Sequence, residues 1–392
     1  MAFSLYELAD GKQFYYDSHN NSIYNNVGEL LSLPPPKDLE WYKEEEKNHG
    51  VLTKVNNPVA IRILLGQACN YSCNYCMQKD IGNPFERPES FYIDSFIENF
   101  NTLDLSRLKR IELWGGEPLL YWKDMVKLMT LLDSPDREFF ISTNGSPFVQ
   151  KHVDFLRTLK STVLINVSHD AWEHERLRGE DILKNPKKVN IIKQLLESGP
   201  NIQLGFGCVV SATNYDLFEI NRYFREFRDR ENLGKIKLTY IAAKNYDERN
   251  AANSADHVIR GETLNIFNDI LKRFIECSLA DKEEKEILRN NLIYSDEGVI
   301  TYAKFLKNQA PITIKSSCGA DSNDILSVDM QGNVRVCPHT NEKYISGSLN
   351  KFKEIKYCGT VIEKFRTDAG YKSRPEAHVV FYCDSIHKNI DV

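Results

Sequence analysis

The chain contains no stretch approaching the roughly 18 uninterrupted apolar residues that a membrane helix requires. Its first residues, Met1 to Gly11, lack the basic start and apolar run of a secretory signal. A cytoplasmic location, with no membrane partner, is therefore expected. Charge of one sign is not in excess either: 50 Lys and Arg stand against 55 Asp and Glu, a net charge of -5, with both signs interspersed. No basic footprint for nucleic acid is present, and charged runs such as Lys282 to Glu286 read as a solvated helix face. Internal repeats and low-complexity segments are also missing. An even set of cysteines is lacking: there are nine, and in a reducing compartment ligation of a metal or cluster explains them better than a disulfide framework. What is there is a 392-residue chain with 42% hydrophobic and 11% aromatic residues, enough to bury a large core in one big domain with a smaller companion.

Residues 1–50 form a preface in which alternating aromatics, Gln13 to Tyr16 and Ser22 to Tyr24, flank a turn-rich Asp17-Ser18-His19-Asn20-Asn21. That pattern predicts a β-hairpin acting as a packing lid or a substrate-docking element. From about residue 58 short apolar runs alternate with helical periodicity. Six strands are expected at Ala60 to Gly66, Arg110 to Trp114, Glu138 to Ser142, Val163 to Ser168, Gln203 to Val210 and Ile236 to Ala242. Amphipathic segments separate them, at Asp94 to Leu103, Tyr121 to Leu132 and Val149 to Leu159. The best-marked helix runs from Asn185 to Ser198, with Asn185 as cap, Pro186 at its first position and Gly199 closing it. Six strand–helix units make an α/β fold, a partial (β/α)6 TIM-like barrel over residues 58–245. Alternation alone also permits a doubly wound sheet. Residues 246–309 read as a helical linker, with helices over Glu262 to Ser278 and Lys282 to Asn291, and 310–392 as a small Cys-bearing domain.

The first strand leads into Cys69-Asn70-Tyr71-Ser72-Cys73-Asn74-Tyr75-Cys76, with three and then two residues between cysteines. Three thiolates at this spacing can wrap a cube-shaped four-iron cluster and leave one iron open to a chelating substrate. A zinc knot, or a distant fourth ligand, is the alternative. The second strand ends in Gly115-Gly116-Glu117-Pro118, where glycines admit close backbone approach and a carboxylate is available to a cation. Strand three ends at Ser142-Thr143-Asn144-Gly145 and strand four at Ser168-His169-Asp170-Ala171, followed by Arg178-Gly179. Each lies at a strand's C-terminal end, where barrel enzymes build their sites. In strand five Leu204, Phe206, Cys208 and Val210 share one face, so Cys208 reads as core. If its thiol faced the cavity instead, it would be a candidate hydrogen donor. Cys277 reads as core. His169, Asp170, Tyr240 and Lys244 are acid–base candidates on the rim, each of which could equally pack or form hydrogen bonds.

The CxxxCxxC run with an aromatic before its third cysteine, followed by the GGEP loop, resembles the radical S-adenosylmethionine superfamily over roughly residues 58–350. The resemblance implies a [4Fe-4S] cluster on Cys69, Cys73 and Cys76 that cleaves S-adenosylmethionine to a 5′-deoxyadenosyl radical. It assigns Gly115, Gly116 and Glu117 to the amino group of S-adenosylmethionine, Ser168 and Arg178 to its ribose or carboxylate, and Asn144 to the same pocket. The family commonly has Ser-x-Asp-Gly where this chain has Ser168-His169-Asp170-Ala171, which puts the turn at Ala171 in question.

In the tail, Cys318, Gly332 and Cys337 surround a hairpin-like Val328 to Val334, and Gly347-Ser348-Leu349 follows. This resembles the start of the SPASM or twitch extension of peptide-modifying radical enzymes. Too few cysteines follow for two auxiliary clusters. One auxiliary [4Fe-4S] cluster on Cys318, Cys337, Cys358 and Cys383 is expected, with His339 or an open iron able to replace Cys358, and zinc as the alternative occupant. The resemblance implies a ribosomal precursor peptide as substrate, an intrapeptide crosslink as product and a flavodoxin- or ferredoxin-type electron donor. Epimerisation, a dehydrogenase or maturase reaction on a small molecule or protein side chain, and a noncatalytic iron–sulfur scaffold are the competing readings. The intact GGEP loop argues against the last.

Overall fold

The computed structural model describes residues 3–7, 13–17, 22–25, 51–54, 56–76, 93–234, 237–242, 325–335, 345–349 and 355–358, with four further positions between 262 and 270. Three strands, β1 (Phe3–Glu7), β2 (Gln13–Asp17) and β3 (Ser22–Asn25), form an antiparallel meander. The expected hairpin is its second half, because Asp17 and Ser22 close a register in which Tyr15 faces Tyr24 across the strands. β4 (Val51–Lys54) follows.

The barrel strands are β5 (Ala60–Leu64), β6 (Arg110–Trp114), β7 (Glu138–Thr143), β8 (Thr162–Ser168), β9 (Ile202–Val210) and β10 (Lys237–Ala242). They lie side by side in sequence order, all parallel. Helices α1 (Ile93–Phe100), α2 (Trp122–Leu132), α3 (Gln150–Leu156), α4 (Pro186–Leu196) and α5 (Leu217–Arg230) run between them. As the sequence implied, Asn185 caps α4, its side chain accepting from Lys187 N, and Pro186 opens the helix. α5 is capped by Asp216, which accepts from Phe218 N and Glu219 N.

Alternation separates the two faces of the sheet. On β7 and β8, Phe139, Ile141, Val163, Ile165 and Val167 are buried, while their neighbours are half-buried. The buried set faces the helices: Phe206 of β9 stacks on Phe224 of α5 at 5.0 Å and meets Phe227 edge-on. The half-buried set, including Asn166, Ser168 and Gly205, lines the inside, where Asn166 covers Gly207.

The tail contributes β11 (Ile325–Asp329), β12 (Asn333–Arg335), β13 (Ile345–Ser348) and β14 (Ile355–Cys358). The expected hairpin is present, since β11 and β12 pair antiparallel across the turn at Gly332. Its location was not anticipated: β11 lies parallel against β5 as a seventh parallel strand, with Asp329 opposite Leu64. The hairpin turn therefore stands at the same end of the sheet as the cysteine loop. Asp329 holds that turn, accepting from Gln331 N, Asn333 N and Arg335 Nε. β14 pairs antiparallel with β4, placing Cys358 opposite Val51. Cys318, Cys337, Cys383, His339, Lys244, Cys277 and the helix expected at 282–291 lie outside the described residues. Among the described residues no helix is long and apolar enough to cross a membrane.

Candidate active site

The sheet pairing of β5 continues past its end, where Leu65 N donates to Trp114 O at 2.8 Å. The loop beyond β6 then zips onto the loop beyond β5. Gly116 N donates to Gly66 O and Glu117 N to Ala68 O, both at 2.9 Å, and Ala68 N donates to the Tyr121 hydroxyl at 2.9 Å. A side chain at Gly116 would run into the Gln67 and Ala68 carbonyls, so only glycine permits this approach. The run-in to Cys69 is thereby fixed by the GGEP loop.

Cys69, Cys73 and Cys76 are all half-buried at the top of the barrel, and the sulfurs of Cys69 and Cys73 meet hydrogen-bond donors. Cys69 Sγ accepts from Tyr71 N at 3.4 Å and lies 4.0 Å from Asn144 Nδ2. Cys73 Sγ lies 3.8 Å from Arg178 Nη1. Burial pushes the Cys69 thiol up to about 11, helped by Glu117 and the other two cysteines. Burial also raises Cys73, with Arg178 pulling the other way. Thiols that resist ionisation alone are stabilised as thiolates by iron, which displaces their protons. Among the described residues no three Cys, His, Asp or Glu side chains converge on a point that could hold a single ion. A cube-shaped cluster spreads its thiolates over separate irons and makes no such demand. Three loop cysteines, sulfur-directed donors and a glycine cradle fit that group.

The segment after β8 braces the loop. Asn74 N donates to Leu177 O at 3.0 Å, Asn74 Nδ2 to Arg176 O at 3.3 Å and the Tyr71 hydroxyl to Glu180 O at 2.9 Å. Beneath these, Asp170 is fully buried and binds Arg178 through Nε at 2.8 Å and Nη2 at 3.3 Å. It also accepts from Val209 N at 3.0 Å and from the Tyr75 hydroxyl. Burial opposes charge on Asp170, but Arg178, Tyr75 and Val209 together hold its carboxyl below the usual range. Asp170 is therefore a fixed carboxylate, which corrects its reading as an acid–base group. His169 is corrected likewise: it is wholly buried, stacks on His174 at 4.0 Å and meets Asp181 through Nε2 at 2.8 Å.

Glu117 is 1% exposed and accepts from Thr143 Oγ1 at 2.6 Å, Asn144 N at 2.7 Å and Leu119 N at 3.0 Å. Burial lifts its carboxyl to about 7 against these donors. Its oxygens tie the GGEP loop to the end of β7, a role its expected contact with a cation did not include. Asn144 Nδ2 donates to Asn70 Oδ1 at 2.9 Å, joining β7 to the cysteine loop.

The remaining candidates separate by strand face. Ser168 is half-buried on the inner face, in register with Gly207. Cys208 is 1% exposed on the helix-facing side, where Asn214 Nδ2 reaches its sulfur at 3.6 Å, so the thiol belongs to the core and the hydrogen-donor reading falls. Tyr240 is in register with Cys208 on the neighbouring strand. The reading from sequence missed the close packing at Gly207, where the Asn166 side chain leaves no room for a Cβ, although the alternation of Gly205 and Gly207 with Leu204, Phe206 and Cys208 was visible.

Residues 63–208 match the family model described as the Radical SAM superfamily. The chain carries a radical SAM domain and is a radical SAM enzyme. Such a domain implies a [4Fe-4S] cluster and S-adenosylmethionine.

Among curated proteins, the radical SAM cyclopropyl synthase TigE of Paramaledivibacter caminithermalis is 23% identical over 371 residues, 88% of this chain and 72% of that protein. A GTP 3',8-cyclase of Helicobacter pylori is 29% identical over 170 residues, 42% of this chain and 51% of the cyclase. Among solved structures, anSMEcpe with bound AdoMet superposes with a TM-score of 0.52 at 17% identity, covering 79% of this chain and 80% of that one. These likenesses describe a shared barrel fold.

Proposed function

We propose that this enzyme modifies a ribosomally made precursor peptide, closing a new bond within it with loss of two hydrogens. The observation that carries the reading is the relation to a cyclopropyl synthase across 88% of the chain, including the tail beyond the barrel. Ring closure and side-chain crosslinking share one balance: two hydrogens leave, at least one of them from carbon, and one bond forms. The same fold accommodates a peptide in anSMEcpe with the Kp18Cys peptide, at a TM-score of 0.51.

The cluster and S-adenosylmethionine, when bound, supply the electron and the carbon radical that takes the first hydrogen. The chain's own residues place that chemistry. Gly116 and Glu117 fix the cysteine loop, Asn144 ties the end of β7 to it, and Ser168 stands on the inner face of the barrel. The second electron and proton need an acceptor, and one auxiliary cluster on Cys318, Cys337, Cys358 and Cys383 is proposed as the electron's destination. A flavodoxin or ferredoxin is the proposed donor for the first.

A small-molecule reading draws support from the GTP 3',8-cyclases, but that likeness spans only 42% of this chain and about half of the cyclase. Anaerobic incubation of the reconstituted enzyme with candidate peptides, in ordinary and heavy water, tests the choice by mass. Loss of two hydrogens, abolished by Cys69→Ala, supports ring closure or crosslinking. Gain of one deuterium at constant composition makes it an epimerase, and an unchanged peptide alongside turnover of S-adenosylmethionine hands the lead to a small molecule.

A further inference from the structure

We infer that Asp170 is a positioning residue that aims Arg178 at the Cys73 sulfur and thereby raises the reduction potential of the cluster held there. The inference rests on the cluster reading of Cys69, Cys73 and Cys76. The geometry is a relay from the barrel wall to a ligand sulfur. Val209 N on β9 holds Asp170 Oδ1 at 3.0 Å, and Asp170 grips Arg178 through Nε at 2.8 Å and Nη2 at 3.3 Å. The guanidinium is planar, so fixing Nε and Nη2 fixes the direction of Nη1, which lies 3.8 Å from Cys73 Sγ. Tyr75, between the ligands Cys73 and Cys76, closes the arrangement: its hydroxyl binds Asp170, and its ring lies 5.3 Å from the Arg178 carbon. The Asp170 side chain is 0% exposed and that of Arg178 9%, so water screens neither charge well.

Donors and positive charge at a ligand sulfur favour the more negative, reduced cluster and raise its potential. Asp170 acts in two opposed ways. Its own negative charge, near the same sulfur, lowers the potential, while its grip on Arg178 raises it. Removing the carboxylate therefore gives a change whose sign identifies the dominant effect.

The test is an anaerobic redox titration of the reconstituted full chain followed by electron paramagnetic resonance. The signal lost in Cys69→Ala is assigned to this cluster. Arg178→Gln is expected to shift the ratio of reduced to oxidised cluster at fixed potential at least tenfold towards oxidised, about 59 mV for one electron. Asp170→Asn is expected to shift it in the same direction, although it removes a negative charge. A rise in potential, or none, in Asp170→Asn with full iron content overturns the inference. If that variant does not fold, Arg178→Lys decides: it keeps the charge and loses the fork, so a potential below wild type supports directed aim and a wild-type value overturns it. A wild-type chain holding no signal dependent on Cys69 overturns the cluster reading itself, and the inference with it.

Discussion

The backbone N–H of Asn144 donates to Oε2 of Glu117 at 2.7 Å, joining the end of one barrel strand to the loop that leaves its neighbour. Since Glu117 N is itself bonded to Ala68 O, the loops after β5, β6 and β7 form one unit around the cysteines. Cross-bonded in this way, the loops fix the approach of the chain to Cys69.

Gly116→Ala should break that unit, because its Cβ would meet backbone carbonyls that cannot rotate away. Iron content after reconstitution, or affinity for S-adenosylmethionine, should fall at least tenfold. Gly234→Ala, with open space around it, should leave both unchanged. Equal behaviour of the two variants would contradict the cradle.

Ala171 stands where the family commonly has glycine, and it keeps the left-handed backbone that glycine favours, with φ of 54°. A side chain in that conformation costs about 1 kcal/mol. Ala171→Gly should raise the denaturant midpoint by a corresponding amount, and a lowered midpoint would show that burial of the methyl outweighs the strain.

Stability should peak at intermediate pH. Buried His152 accepts from Val149 N at 3.0 Å, and burial lowers its pKa from 6.5 to about 4. Between those values the unfolded chain binds the extra proton, so stability is full above about 6.5 and is lost as pH falls towards 4. Glu117 acts oppositely: raised from 4.5 to about 7, it contributes fully below about 4.5 and loses that contribution as pH rises through 7. Urea midpoints across this range should show His152→Gln flattening the acid limb and Glu117→Gln the upper one. An acid limb unchanged in His152→Gln would contradict the assignment.

Cys208→Ala should cost about 1 kcal/mol of stability, through lost core contacts, and leave product identity unchanged. A variant that still consumes S-adenosylmethionine but releases a different peptide product would return the thiol to the chemistry.

The barrel was legible because its signals are local. The short apolar runs Glu138 to Ser142 and Val163 to Ser168 marked two strands, Asn185 and Pro186 marked a helix start, and the cysteine spacing marked the loop after the first barrel strand. The pairing of Ile325–Asp329 with Ala60–Leu64 was not legible, since partners more than 250 residues apart leave no trace in local periodicity. Asp170 was misjudged for a related reason. A carboxylate beside a histidine at a strand end suggests proton transfer, and only the tertiary structure shows Arg178, Tyr75 and Val209 occupying it.

We propose that Cys69, Cys73 and Cys76 hold a cluster that cleaves S-adenosylmethionine reductively. The most direct measurement is 5′-deoxyadenosine released by the reconstituted chain under anaerobic conditions with reductant. Wild type should release it, and Cys69→Ala, Cys73→Ala and Cys76→Ala should not. Release that persists in any of the three variants, or none from an iron-loaded wild type, would contradict the account.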